Sequence, residues 1–106
     1  MSPRIIALTA AVEIIHRCAA QHLASVPGVE MLGETTVWEG VVEVFQIFAH
    51  PKAKRCYAWS YTKDKQTQYV TVLEIPPVTD AITAVRASIM AGGQDSVSPA
   101  TSVASP

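Results

Sequence analysis

The sequence predicts an α+β domain with the order helix, strand, strand, strand, helix, in which both helices lie on one face of a three-stranded antiparallel meander. Three observations carry this reading. Apolar residues recur at three- and four-residue steps through the first quarter of the chain. Three runs rich in β-branched and aromatic residues follow, divided by short polar stretches. A second helical stripe comes after a Pro-Pro pair, and short connections between the strands favour a meander. At 106 residues one domain is expected. Its boundaries are placed at residues 1–92. Residues 93–106 have no periodicity, consist mostly of small polar residues, and are expected to form a disordered tail.

Ser2 precedes Pro3 as an N-cap precedes a proline in the first helical turn. Ile5, Leu8, Val12, Ile15, Ala19, Leu23 and Val26 then mark one face of a helix of about six turns, which Pro27-Gly28 ends. Residues 29–34 read as a connector. TTVWEGVVEVFQIF gives a strand over residues 35–48, AHPKA a turn, RCYAWSYT the central strand, TKDKQT a hairpin turn and QYVTVLEI the third strand, stopped by Pro76-Pro77. Thr79 or Asp80 caps the last helix, which carries Ile82, Val85 and Ile89 on one face and ends at Gly92-Gly93.

Turn lengths set an expected register. Pairing Thr62 with Thr67 sets Trp59 opposite Val70, Tyr57 opposite Val72 and Arg55 opposite Glu74. Pairing Phe48 with Lys54 sets Phe45 opposite Tyr57, Glu43 opposite Trp59 and Glu39 opposite Lys63. Because side chains alternate, one face then carries Val41, Phe45, Tyr57, Trp59, Tyr61, Val70 and Val72, with Glu39, Glu43 and Arg55 among them. The other carries Trp38, Val42, Val44, Phe48, Cys56, Ala58, Leu73 and Ile75. The small residues Cys56, Ala58 and Ser60 assign the helices to the second face and leave the aromatic face open. An open patch of that kind exceeds what monomers usually expose. The expected role is therefore protein–protein association, with a homodimer formed through Glu43, Phe45, Arg55, Tyr57, Trp59 and Tyr61.

Other functions are less well supported by the residues. The formal net charge of −1 argues against a dedicated duplex binder. A single-stranded nucleic acid could stack on Tyr57, Trp59 and Tyr61 with Lys52, Lys54 and Lys63 nearby, but Glu39 and Glu43 on that face oppose phosphates and disfavour it. A third reading places a small-ligand pocket or an enzyme near His50, Tyr57 and Glu43. No nucleophile motif or Gly-rich phosphate loop accompanies it. Cys18, His22, His50 and Cys56 are zinc-ligand types without a familiar spacing, so no metal or cofactor is expected. Two cysteines make no disulfide framework and suggest a reducing compartment. IIALTAAV is too short and too soon interrupted to span a membrane, and a secretory signal is disfavoured because the apolar periodicity continues beyond it. A cytoplasmic location is expected.

The segments WEGVVEVF, HPKAKRCYAWS, VLEIPPV and AVRASI resemble short bacterial proteins of unknown function that carry W-x-G-x-V-x-V-F, H-P-x-A, Y-A-W and PPV segments. The resemblance covers roughly residues 36 to 90 and implies no activity. The order of elements also looks like that of the double-stranded-RNA-binding domain. The residues depart from that family: no Gly-Pro-x-His loop lies between strands, and the last helix opens TDAITAVRA where that family has a lysine cluster. The likeness is one of topology alone.

Overall fold

The computed structural model describes residues 2–92; the expected tail, 93–106, lies outside them. The elements are α1 (Pro3–His16), β1 (Ala19–Leu32), β2 (Thr35–Phe48), β3 (Arg55–Lys63), β4 (Gln66–Leu73) and α2 (Ala81–Gly92). The strands form one antiparallel sheet in chain order. The fold is α+β, as expected, but with four strands rather than three.

The fourth strand comes from the second half of the expected helix. The Ser2 hydroxyl accepts from the Ile5 N–H at 3.2 Å, capping α1 as its sequence suggests. Leu8 and Val12 are buried on its inner face. Arg17 then adopts a left-handed conformation (φ 54°) and the Cys18 N–H closes onto the Glu13 carbonyl at 3.3 Å, which stops the helix. Leu23 and Val26, read as a continuing stripe, are exposed on β1. Pairing with β2 outweighs their helical spacing: β1 runs beside β2 from Ala19↔Phe48 to Leu32↔Thr35. Gly33 (φ 64°) and Glu34 make the two-residue turn between them. The residues taken for a connector are therefore the end of a strand and its hairpin turn.

The β3–β4 register is the expected one, with Thr62↔Thr67, Trp59↔Val70 and Tyr57↔Val72. The β2–β3 register is shifted by one residue: Phe45 lies opposite Cys56 and Glu43 opposite Ala58. The cause is the connecting turn. Ala49 takes φ 65°, and the His50 Nδ1 atom accepts from the N–H groups of Lys52 (3.0 Å) and Ala53 (3.2 Å). Ile47, not Phe48, then bonds Lys54, its N–H meeting that carbonyl at 2.9 Å. A one-residue slip moves every β2 side chain to the other face relative to β3.

That slip also corrects the placement of the helices, which lie on opposite faces of the sheet. Under α1, Leu8 and Val12 pack with Phe45, Ile47, Ala53, Cys56 and Ala58. Under α2, Ala84 and Val85 pack with Trp38, Val42, Val44, Tyr57, Trp59, Val70 and Val72. Each helix meets a complementary surface. Leu8 and Val12 of α1 sit over the small Cys56 and Ala58, whereas α2 sets Ala84 and Val85 against a surface that includes two indoles. Asp80 caps α2 by accepting from the Thr83 N–H at 2.9 Å. The open aromatic face expected from the sequence is thus a covered core. Among the described residues, no helix is long and apolar enough to cross a membrane.

The β3–β4 turn holds Asp64 (φ 53°) and Lys65 (φ 65°) in the left-handed region, the pattern of a type I′ turn that favours glycine at its second position. Replacing Lys65 with Gly should raise stability by about 0.5 kcal/mol, the relieved strain being partly offset by extra freedom in the unfolded chain. Urea unfolding measures it; a loss of stability would show that the turn has a different conformation.

Candidate functional site

The β2–β3 ladder contains only the pairs Glu43↔Ala58, Val44↔Tyr57, Phe45↔Cys56 and Gln46↔Arg55. Beyond Glu43 and Ala58 the two strands part. Residues 35–42 of β2 stay with β1, and residues 59–63 of β3 stay with β4. A cleft of 390 Å³ opens between them, lined by Thr36–Val41 on one side and Trp59, Ser60 and Tyr61 on the other. Alternation along the ladder points the backbone N–H and C=O groups of Glu39, Val41, Ser60 and Thr62 into this gap. Among the described residues, no β2–β3 ladder pair joins them across it.

On the α2 side the gap is walled by side chains. Trp38 and Trp59 meet edge-to-face, their ring centroids 5.6 Å apart. Such a contact stabilises by about 0.5–1.5 kcal/mol beyond burial. Gly40 makes the arrangement possible: a Cβ there would lie 3.2 Å from the Trp38 ring. The spacing Trp38-x-Gly40 is therefore a packing requirement, because the indole lies across the glycine two residues on.

Glu43 stands at the head of the cleft, in the last pair before the strands part, and is fully buried on the α1 face. Ser25 donates its hydroxyl to Glu43 Oε1 at 2.5 Å, and His22 Nε2 meets the same oxygen at 2.7 Å. Arg4, from α1, engages Oε2. Burial opposes ionisation, but the Ser25, His22 and Arg4 hydrogen bonds and the Arg4 charge outweigh it, holding the carboxyl below the usual carboxylate range. His22 also packs its ring edge-to-face with Phe45, with centroids 5.5 Å apart. A carboxylate engaged in this way is an anchor: it ties α1, β1 and β2 together at the fork. Sequence reasoning missed Arg4, His22 and Ser25, although an acid inside the apolar run VVEVF signals a buried charge that needs partners.

The expected contact residues do not form one surface. Glu43 and Phe45 are buried under α1, while Tyr57 and Trp59 are buried under α2. Tyr57 donates its hydroxyl to Glu74 at 2.5 Å and to the Thr79 carbonyl at 3.3 Å; burial and Glu74 push its pKa up. Arg55 is exposed at the start of β3, and Tyr61 is half-buried at the cleft. Glu43 and Tyr57 are separated by the sheet, so with His50 they make no common pocket. The ring platform needed for a stacked single strand is covered as well. His50 shapes the β2–β3 turn and packs against His16, which bonds Thr71 at 2.7 Å. Burial pushes the Cys56 thiol up to about 12, and Cys18 is raised too, chiefly by burial. Among the described residues no three His, Cys, Asp or Glu side chains are grouped to hold a metal ion.

The outer edge of β1 is guarded where the inner gap is not. Outward-facing positions of β1 include Ala20, whose N–H is taken by the Glu13 carboxylate at 3.0 Å, and Pro27, which has no N–H to offer. A register shift between His22 and Ala24 interrupts the edge further. These are the devices by which sheet edges avoid pairing.

Arg4→Ala should cost about 2 kcal/mol at pH 7, below the usual penalty for breaking a buried ion pair because Arg4 is half exposed. Glu43 titrates lower in the folded chain than its unfolded value of about 4.3, so its contribution is present above that pH and lost as pH falls through the folded value. The deficit should therefore shrink below about pH 4. Urea unfolding at pH 7 and pH 3 checks this; an equal deficit at both would assign the loss to the helix rather than the ion pair. Comparisons with protein-family models, with curated proteins and with solved structures find no match to this chain.

Proposed function

We propose that the protein is an association module that docks an extended polypeptide segment by strand addition in the cleft between β2 and β3. One observation carries the reading: two strand edges with the backbone groups of Glu39, Val41, Ser60 and Thr62 pointing at each other lie inside one sheet, and among the described residues the β2–β3 ladder ends at Glu43↔Ala58. Backbone groups of this kind seek partners, and an added strand satisfies both rows at once. The blunted outer edge of β1 is consistent with the same assignment, since a guest strand finds little to pair with there. Side chains on one side of the guest strand would meet the Trp38–Trp59 wall. The guest is therefore an uncharged segment with Ser, Ala or Gly at alternate positions, and association through it replaces association through an open aromatic face.

The Val41 N–H points into the cleft and takes no part in the β1–β2 ladder, so Val41→Pro removes a docking donor without breaking that hairpin. Hexapeptides alternating Ser or Ala with Val or Thr, titrated to millimolar concentration, should shift the indole N–H resonances of Trp38 and Trp59 and the amide of Ser60. The Val41→Pro chain, folded by circular dichroism, should bind at least tenfold more weakly. Equal binding by both chains, or none by either, would refute docking in the cleft.

A further inference from the structure

We propose that α1 is a self-association surface and that two copies of the chain pair through its solvent-facing side. The helix uses its polar side chains on its own chain. Between Pro3 and His16 these are Arg4, Thr9, Glu13 and His16. Arg4 engages the Glu43 carboxylate, and Thr9 returns its hydroxyl to the Ile5 carbonyl at 2.7 Å. Glu13 takes the Ala20 N–H at 3.0 Å, and His16 meets Thr71 at 2.7 Å. What remains for the outside is apolar. Ile6 and Ile14 are 56% and 75% exposed, with exposed Ala10 midway between them. A helix packed on a sheet ordinarily turns its polar residues outward, and one that is apolar all round is covered on more than one side.

A second copy fits this side because the face carries both halves of a contact. Ile6, Ala10 and Ile14, spaced by four, form one ridge along the helix. Beside it runs a groove of 470 Å³, lined by Ile6, Thr9, Ala10 and Glu13 of α1 and by Ala20 and His22 of β1. The ridge of each copy lies in the groove of the other, the reciprocal pattern of a twofold pair. Ridges of this kind cross at about −50°. Ala10 sits at the crossing, where its small side chain lets the helices approach. Glu13 enters the contact already bonded to the Ala20 N–H. The ridge itself holds no charge, so self-pairing brings no like charges together, and the crossing carries the two exposed Arg17 side chains apart. The 14 residues of α1 make a rod about 21 Å long and about 10 Å across. Two such rods with flanking β1 side chains bury roughly 800–1,000 Å² in total, at the low end of specific interfaces. The dimer is therefore weak and reversible, with a Kd on the order of 10–100 µM. None of these residues lines the cleft between β2 and β3, so the two sites are independent.

Sedimentation equilibrium on the full chain, from about 5 µM to about 1 mM, should show a reversible monomer–dimer equilibrium. Ala10→Glu and Ile14→Glu, both at exposed helix positions and checked for fold by circular dichroism, should each weaken dimerisation about tenfold or more, because each buries a charge in the contact. Met90→Glu, which alters an exposed apolar residue of α2, should leave it unchanged. A chain that stays monomeric at 1 mM would overturn the proposal. So would dimers that survive both α1 substitutions, or dimers that Met90→Glu abolishes. Monomers that bind phosphatidylcholine vesicles, and lose that binding in Ile14→Glu, would put a lipid surface against the ridge in place of a second copy.

Discussion

A carboxylate with no exposure to solvent has to be paired, and Glu43 is paired with three elements at once. Arg4 fixes the start of α1 over the sheet. His22 and Ser25 flank the register shift in β1, so their bonds to one oxygen hold the irregular edge strand in place. Glu43 itself occupies the last β2 position that pairs with β3. The same residue therefore sets the height of α1, the register of β1 and the point at which the sheet divides. Beyond it the β1–β2 hairpin leaves β3–β4.

Both faces of this sheet are apolar, and two helices of opposite texture answer that. Cys56 and Ala58 give α1 room for Leu8 and Val12. On the other side the bulk comes from the sheet, in Trp38, Tyr57 and Trp59, and α2 supplies Ala84 and Val85. Ion pairing of Arg86 with Glu30 at 2.9 Å ties α2 to the β1–β2 hairpin. The hairpin that departs from β3 in its backbone is thus held to the body of the molecule through α2 and the two indoles. This arrangement lets a cleft persist without the hairpin becoming detached.

Much of the fold is legible in the residues. The Ser2-Pro3 start, the Asp80 cap, strand residues 35–48 and the β3–β4 register follow from local chemistry, and the structure has them. Residues 19–32 were not legible as a strand because Ala19, Leu23 and Val26 satisfy helical spacing; only the pairing capacity of a distant strand, β2, decides against it. Gly33 between VEML and TTVW was the local signal of a hairpin. The face of the aromatics turned on one residue in the 49–54 turn, where the left-handed Ala49 and the acceptor role of the His50 ring are invisible to periodicity. As for the site, Glu43 stood out, but its partners lie 39, 21 and 18 residues away. The cleft was hidden, since a sheet's division is a long-range event with no local pattern.

The account rests on the two strands separating at Glu43↔Ala58. In an antiparallel ladder, non-hydrogen-bonded pairs bring their Hα atoms close together. Val44↔Tyr57 is such a pair, and Val42 opposite Trp59 would be the next if the ladder continued. A nuclear Overhauser experiment on the full chain decides the matter directly. A strong Hα–Hα effect between Val44 and Tyr57 with none between Val42 and Trp59 is the expected result. An equally strong effect between Val42 and Trp59 would mean a closed ladder, with no cleft for a strand to occupy.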